Sequence, residues 1–123
     1  MLPFTVAVYI LMHFLVDITD VSISPVSGTN TAGETYSLEC SATVTGSNDQ
    51  PTITWLDDDG SEITSSDATR VVSATIRNPS GRYSSTLTFT PLAVSNAGMF
   101  LCRVTLGCAV VTASLDVIVE CKL

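Results

Sequence analysis

Residues 36 to 44 read Tyr-Ser-Leu-Glu-Cys-Ser-Ala-Thr-Val, and their alternation decides the fold class. Leu38, Cys40, Ala42 and Val44 share one side of an extended chain, while Ser37, Glu39, Ser41 and Thr43 share the other, which is the period of a half-buried β-strand. The same pattern recurs in both directions. Ile53 and Trp55 sit opposite Thr52 and Thr54, and Leu87 and Phe89 opposite Thr86 and Thr88. Phe100, Cys102 and Val104 form a fourth set; Val111, Ala113, Leu115, Val117 and Val119 form a fifth. A half-buried strand cannot turn one residue outward without turning its whole apolar set. Cys40 and Cys102 therefore both face inward, from different strands, and are placed to meet.

The segments between these sets carry turn chemistry. Asp57-Asp58-Asp59-Gly60 suits a tight reversal after the Trp strand, and Asn78-Pro79-Ser80-Gly81 separates 70–77 from 83–90. Pro91 to Ala97 predicts one helical or irregular turn between sheets. From Asp20 onward no window holds a helical period and no repeat is visible, so a single all-β sandwich or barrel is the expected architecture.

Composition sets the outer limits on function. The 123 residues are 46% apolar, enough for one domain with a real core, and the net charge is −7 with five Lys plus Arg. A nucleic-acid binder needs a basic face to displace counterions from phosphates, and docking on anionic lipid needs one too; neither partner is expected. Four cysteines in so short a chain point to an oxidising compartment.

The apolar run Leu2 to Val16, ended by Asp17 and Asp20, is short for a membrane span, which needs about 20 residues, and matches the core of an export signal. No Lys or Arg precedes it and no small-x-small cleavage motif follows. A buried first strand or a misassigned start is the other reading. Residues 1–19 are expected to be a signal peptide, residues 20–121 the domain, and the mature chain to begin between Ile18 and Ser22. The product is then secreted, or forms the extracellular face of a cell-surface protein.

Taken together, these residues resemble an immunoglobulin-superfamily domain. The resemblance rests on Cys40, Trp55, Leu87-Thr88-Phe89 and Ser95-Asn96-Ala97-Gly98-Met99-Phe100-Leu101-Cys102, and covers about Asp20 to Glu120. It implies a two-sheet Greek-key β-sandwich in which a Cys40–Cys102 disulfide bridges the sheets and Trp55 packs on the bridge. The family's Asp-x-Gly-x-Tyr-x-Cys is altered here. Asn96 stands for the Asp, so the ion pair expected with Arg70 is lost. Phe100 stands for the Tyr, whose hydroxyl bond is lost with it; each loss costs about 1 kcal/mol. The bridge outweighs both, since closing a loop of about 60 residues contributes roughly 4 kcal/mol in the chain-entropy treatment. The interval from Trp55 to Leu87 leaves room for two further short strands. No Gly-x-Gly marks the last strand, so the domain resembles intermediate-type modules of adhesion and receptor ectodomains.

No catalytic residues are expected. The only histidine is His13, inside the apolar leader, so neither a Ser-His-Asp nor a Cys-His pair can form in the mature chain. No glycine-rich phosphate loop appears, and no cofactor is implied. Asp57, Asp58, Asp59 and Glu62 are the densest carboxylates. Their spacing is not that of an EF-hand, and turn geometry accounts for them, so no metal is expected.

Two cysteines remain. Cys108 falls in the turn before the last strand and Cys121 after it; thirteen extended residues put them roughly 40 Å apart, whereas a disulfide needs Cα atoms within about 7 Å. A Cys102–Cys108 bond across the hairpin would leave Cys40 stranded in the core. Cys108 and Cys121 are thus candidates for bonds to another molecule or a neighbouring domain, the alternative being inert thiols.

The outward side of the sheet holding Trp55 and Cys102 carries Leu56, Met99, Leu101, Val110 and Ile118, interrupted by Arg103 and Thr112. Leu56, Met99, Leu101 and the 105–109 turn with Cys108 are the candidate contact residues for a protein partner, homophilic or a covalent dimer included. Scattered apolar surface residues are the bland alternative. The expected function is extracellular protein–protein recognition of adhesion or receptor type, the rival being a structural spacer in a tandem array.

Overall fold

The computed structural model describes residues 16–65 and 69–121. Eight strands and one short 3-10 turn are formed: β1 Asp17–Gly28, β2 Tyr36–Thr45, β3 Thr52–Leu56, β4 Arg70–Val72, β5 Ile76–Arg77, β6 Tyr83–Phe89, the turn Val94–Asn96, β7 Gly98–Leu106 and β8 Ala109–Val117. They assemble into a five-stranded sheet, order β1-β2-β6-β4 with β5 also on β6, and a three-stranded sheet, order β3-β7-β8. All strand pairs are antiparallel. Among the described residues no helix is long and apolar enough to cross a membrane. Of the leader expected at residues 1–19, residues 1–15 lie outside the described residues and Asp17 to Thr19 are part of β1.

Alternation translates directly into burial. Leu38, Cys40 and Ala42 of β2 face Leu87 and Phe89 of β6 and Phe100, Cys102 and Val104 of β7, all in one core with Trp55 and Leu92. Serines and threonines on the opposite side of β2 and β6 face outward and pair across strands, as in the 2.9 Å bond between the Ser37 and Thr88 hydroxyls. Residues 46–51 carry the chain from β2 to β3 at one pole of the sandwich. Residues 90–97 return it from β6 to β7 at the other, where the expected short turn forms at Val94–Asn96.

β1 begins at Asp17, earlier than the Asp20 boundary read from the apolar run, and Ile18 is part of the core. It is an edge strand with the devices that edges need: Pro25, register shifts between Thr19 and Ser22 and between Pro25 and Ser27, and serines on its solvent side. At the first shift Asp20 takes φ 54°. Arg82 closes over it, its guanidinium donating to the Asp20 carbonyl (2.8 Å), the Thr43 hydroxyl (2.8 Å) and the Ser41 hydroxyl (2.9 Å). One side chain thereby ties β1 to β2 from the turn that leads into β6. Gly28 ends β1 at φ 78°, where a Cβ would run into the Thr35 carbonyl.

The 70–77 stretch is two strands, not one. Between β4 and β5 the chain leaves β6 to reach β3: Thr75 accepts the Ile53 N–H on its hydroxyl (3.4 Å) and the Gln50 amide on its carbonyl (3.2 Å). Beyond β3, the room for an additional strand is used by a single antiparallel bridge, Leu56 to Glu62.

The loop after β1 and the segment after β8 are tied together at the second pole. Thr31, in the loop after β1, makes a parallel bridge with Glu120. Ala32 donates to the Glu120 carbonyl and the Glu120 N–H to the Asn30 carbonyl, both at 2.8 Å, and the Asn30 side chain holds the Ile118 carbonyl at 2.9 Å. The same loop reaches the β6–β7 link through Gly33 to Leu92 and Leu92 to Glu34.

Candidate recognition surface

The scaffold under the surface is the cystine and its indole. Cys40 and Cys102 are joined, Cα to Cα 6.4 Å, across the two sheets. Trp55 lies opposite Cys102 on the neighbouring strand and is 1% exposed. Its Nε1–H donates to the Ser85 hydroxyl at 3.1 Å, and that hydroxyl donates to the Ser73 carbonyl at 2.9 Å. Ser85 is therefore the buried acceptor that an enclosed indole requires, and β6 places it directly opposite Cys40. Alternation from Leu87 and Phe89 puts Ser85 on their inward side, but no pattern in the sequence pairs its hydroxyl with the Trp55 indole. Phe100 fills the core in place of the family's Tyr, its ring edge-on to Phe89 with centroids 5.4 Å apart.

Cross-strand register sorts the outer face of the three-stranded sheet into rows. Thr52, Thr105 and Val110 form the first, Thr54, Arg103 and Thr112 the second, and Leu56, Leu101 and Ser114 the third; Met99 faces Asp116 in the fourth. The polar second row separates Val110 from the other apolar residues. Leu56, expected to be a contact residue, is only 6% exposed and offers a partner almost nothing. It ends β3 where the bridge to Glu62 folds the following turn against it, a covering that alternation cannot reveal. Met99 is 42% and Ile118 67% exposed, with Leu101 half-buried between them and Leu56. The accessible apolar residues on this side thus reduce to Met99, Leu101 and Ile118, toward the pole where Glu120 is tied to Asn30 and Ala32.

Cys108 and Gly107 form the tip between the paired residues Leu106 and Ala109, at the opposite pole. Cys108 and Cys121 are both exposed free thiols. The aspartate turn is organised by its own backbone: Asp57 Oδ1 accepts the N–H groups of Asp59 and Ser61 at 3.0 Å each, and Gly60 closes the turn onto the Asp57 carbonyl. Asp57, Asp58 and Asp59 each bring a carboxylate oxygen within 4.8 Å of the others. Beside them a shallow cavity of about 170 Å³ is lined by Asp57, Asp58, Arg70, Ser95, Asn96 and Phe100 among others. Asn96 turns its side-chain oxygen to the Ala93 N–H at 2.7 Å, bracing the 3-10 turn. Among the described residues the ion pair is Arg82 to Asp20, at 3.9 Å, and it does not involve Arg70.

Comparison with solved structures returns the same sandwich. A chimeric titin Z1Z2 carrying an exogenous decorin peptide superposes with a TM-score of 0.64 at 16% identity, covering 89% of this chain and 100% of that one. The titin I67–I69 fragment gives 0.60 at 22%, covering 83% of this chain and 31% of that one. The eight N-terminal immunoglobulin domains of Down syndrome cell adhesion molecule give 0.59 at 21%, covering 78% and 12%. The chain therefore spans a minor part of these last two. A search of curated proteins gives no match. The family model described as immunoglobulin domain matches residues 19–105, most of the chain and both bridging cysteines. With the inter-sheet cystine, the indole against it and the strand order all in place, the chain belongs to the immunoglobulin domain family.

Proposed function

We propose that this chain is an exported, non-catalytic protein-recognition domain of adhesion or receptor type, which meets its partner through Met99, Leu101 and Ile118 and the 105–109 turn. The observation that carries the reading is the open outer face of the three-stranded sheet, where an apolar patch is rimmed by Asp116, Ser114 and Arg103; an apolar centre with a polar rim is the usual anatomy of a protein interface. Export is supported by the apolar run Leu2 to Val16 and by the Cys40–Cys102 bond. A signal cut that leaves Asp17 and Ile18 on the mature chain keeps β1 whole, so processing is proposed ahead of Asp17. Solved immunoglobulin domains include a titin M10 complex with an obscurin-like 1 domain, and this supports a protein as the partner class.

The test uses the secreted protein, tetramerised and applied to a panel of cells. Leu101→Glu leaves the circular dichroism spectrum unchanged and lowers cell-surface staining at least tenfold, an effect of about 1.4 kcal/mol per contact. Staining that Leu101→Glu does not alter refutes the patch. A second reading, a spacer in a tandem array, is favoured by the opposite-pole positions of Val16 and Cys121, where the described domain begins and ends; it predicts no staining of any cell.

A further inference from the structure

Once Cys40 and Cys102 are joined, two thiols remain, and the fold sets them at opposite poles. Cys108 is the tip of the β7–β8 hairpin, at the pole where residues 46–51 link β2 to β3. Cys121 follows Glu120, which is bonded to Asn30 and Ala32 at the other pole. β8 and its extension run between them, so the two sulfurs stand roughly 40 Å apart and cannot bond within one chain.

The poles also differ in charge. Glu34, Asp57, Asp58, Asp59, Glu62 and Glu120 gather at the Cys121 pole, where Arg70 is the one described cation. At the Cys108 pole Asp17, Asp20 and Asp49 are nearly balanced by Arg77 and Arg82. Bonding Cys121 to Cys121 would bring two strongly acidic ends face to face, which like-charge repulsion opposes, and bonding Cys108 to Cys108 would leave every Cys121 thiol unused. Bonding unlike ends uses both thiols and avoids that contact.

We propose that Cys121 of one copy bonds Cys108 of the next, joining copies head to tail. This deepens the recognition reading by naming a second copy as covalent partner, and it rests on export to an oxidising compartment. The chemistry is thiol–disulfide exchange with a small-molecule disulfide such as oxidised glutathione. One protein thiolate attacks it, forms a mixed disulfide and releases one glutathione thiolate. The second protein thiolate then attacks the protein sulfur of that bond and releases the other glutathione. Two protein thiols give up two electrons and two protons, and one glutathione disulfide becomes two glutathiones. The bond is heterologous, so a pair joined once still carries one free Cys108 and one free Cys121, and further copies add in series.

The full chain, held in a glutathione redox buffer and run without reductant, should give a ladder that collapses to monomer on reduction, with tryptic mapping that recovers a Cys108–Cys121 cross-linked peptide. Cys108→Ser alone, which retains only Cys121, should remain monomeric; mixed with a mass-tagged Cys121→Ser it should give about tenfold more covalent dimer. That advantage should shrink at about 1 M salt, where the Debye length is about 3 Å. Homodimers of Cys108→Ser as abundant as the mixed dimer, a dominant Cys121–Cys121 peptide, or two thiols that stay titratable in wild type would each overturn the proposal. Leu101→Glu keeps both thiols and should give the same ladder in purified protein, so a failure here is distinct from a failure of the recognition patch.

Discussion

Replacing Ser85 by alanine removes one oxygen from the centre of the sandwich and is the sharpest test of how the indole is held. The hydroxyl is the acceptor for Trp55 Nε1 and the donor to Ser73, and Ser85 is 1% exposed. Alanine leaves the indole N–H buried with no acceptor, which costs about 1 to 3 kcal/mol. The Ser73 carbonyl loses its donor as well, but Ser73 is an exposed residue while Trp55 is 1% exposed, so the larger penalty is expected on the Trp side. For a domain of this size the melting temperature should drop by about 5 to 15 °C. Trp55 is the single tryptophan, so urea unfolding followed by its fluorescence reports the site directly. The cycle is completed with Trp55→Phe, followed by circular dichroism: with no indole N–H to orphan, Ser85→Ala should then cost no more than about 0.5 kcal/mol. A Ser85→Ala protein within about 0.5 kcal/mol of wild type, or an equal loss in the Trp55→Phe background, would refute the reasoning.

Two further outcomes follow from the described packing. Leu56→Ala should destabilise the domain by about 2 to 4 kcal/mol in a denaturant titration, because Leu56 is closed over by the bridge to Glu62 rather than displayed; a change below about 0.5 kcal/mol would return it to the surface. Burial raises the Tyr36 phenol above its ordinary value of 10.0. The neutral phenol is present in both states below that value, and its contribution is lost as pH climbs through the raised folded value. The urea midpoint should therefore fall above about pH 10 and fall less in Tyr36→Phe; identical profiles would exclude this cause.

The frame of this domain was legible because its burial is periodic. Leu38, Cys40, Ala42 and Val104 had to share an interior once their strands were recognised, and the inward cysteines followed. What stayed hidden has no period. Ser85 shares the inward side of Tyr83, Leu87 and Phe89, but its bond to Trp55 runs from one sheet to the other and leaves no mark in the alternation. Leu56 is apolar at an outward position, but its fate depends on where the next turn folds. Arg82 reads as a turn cation, yet it bonds three groups of β1 and β2 from distant parts of the chain. Thr75 breaks a plausible long strand only because Ile53 and Gln50 lie across from it. The candidate surface was legible as a face and misread in extent, since alternation says which side a residue takes and not what lies over it.

The parallel contact between Thr31 and Glu120 gives the domain a preferred way of carrying tension. If Val16 and Cys121 are drawn apart, the pull runs along the strand axes, and the bonds joining β1 to β2 and Glu120 to Asn30 and Ala32 lie across it. Such bonds must slide and rupture as a group, where a hairpin pulled open from its mouth would yield them one by one. A force ramp should accordingly show a single high rupture event that begins at the first and last segments, and Ala32→Pro, which removes one of those crosswise donors, should lower it.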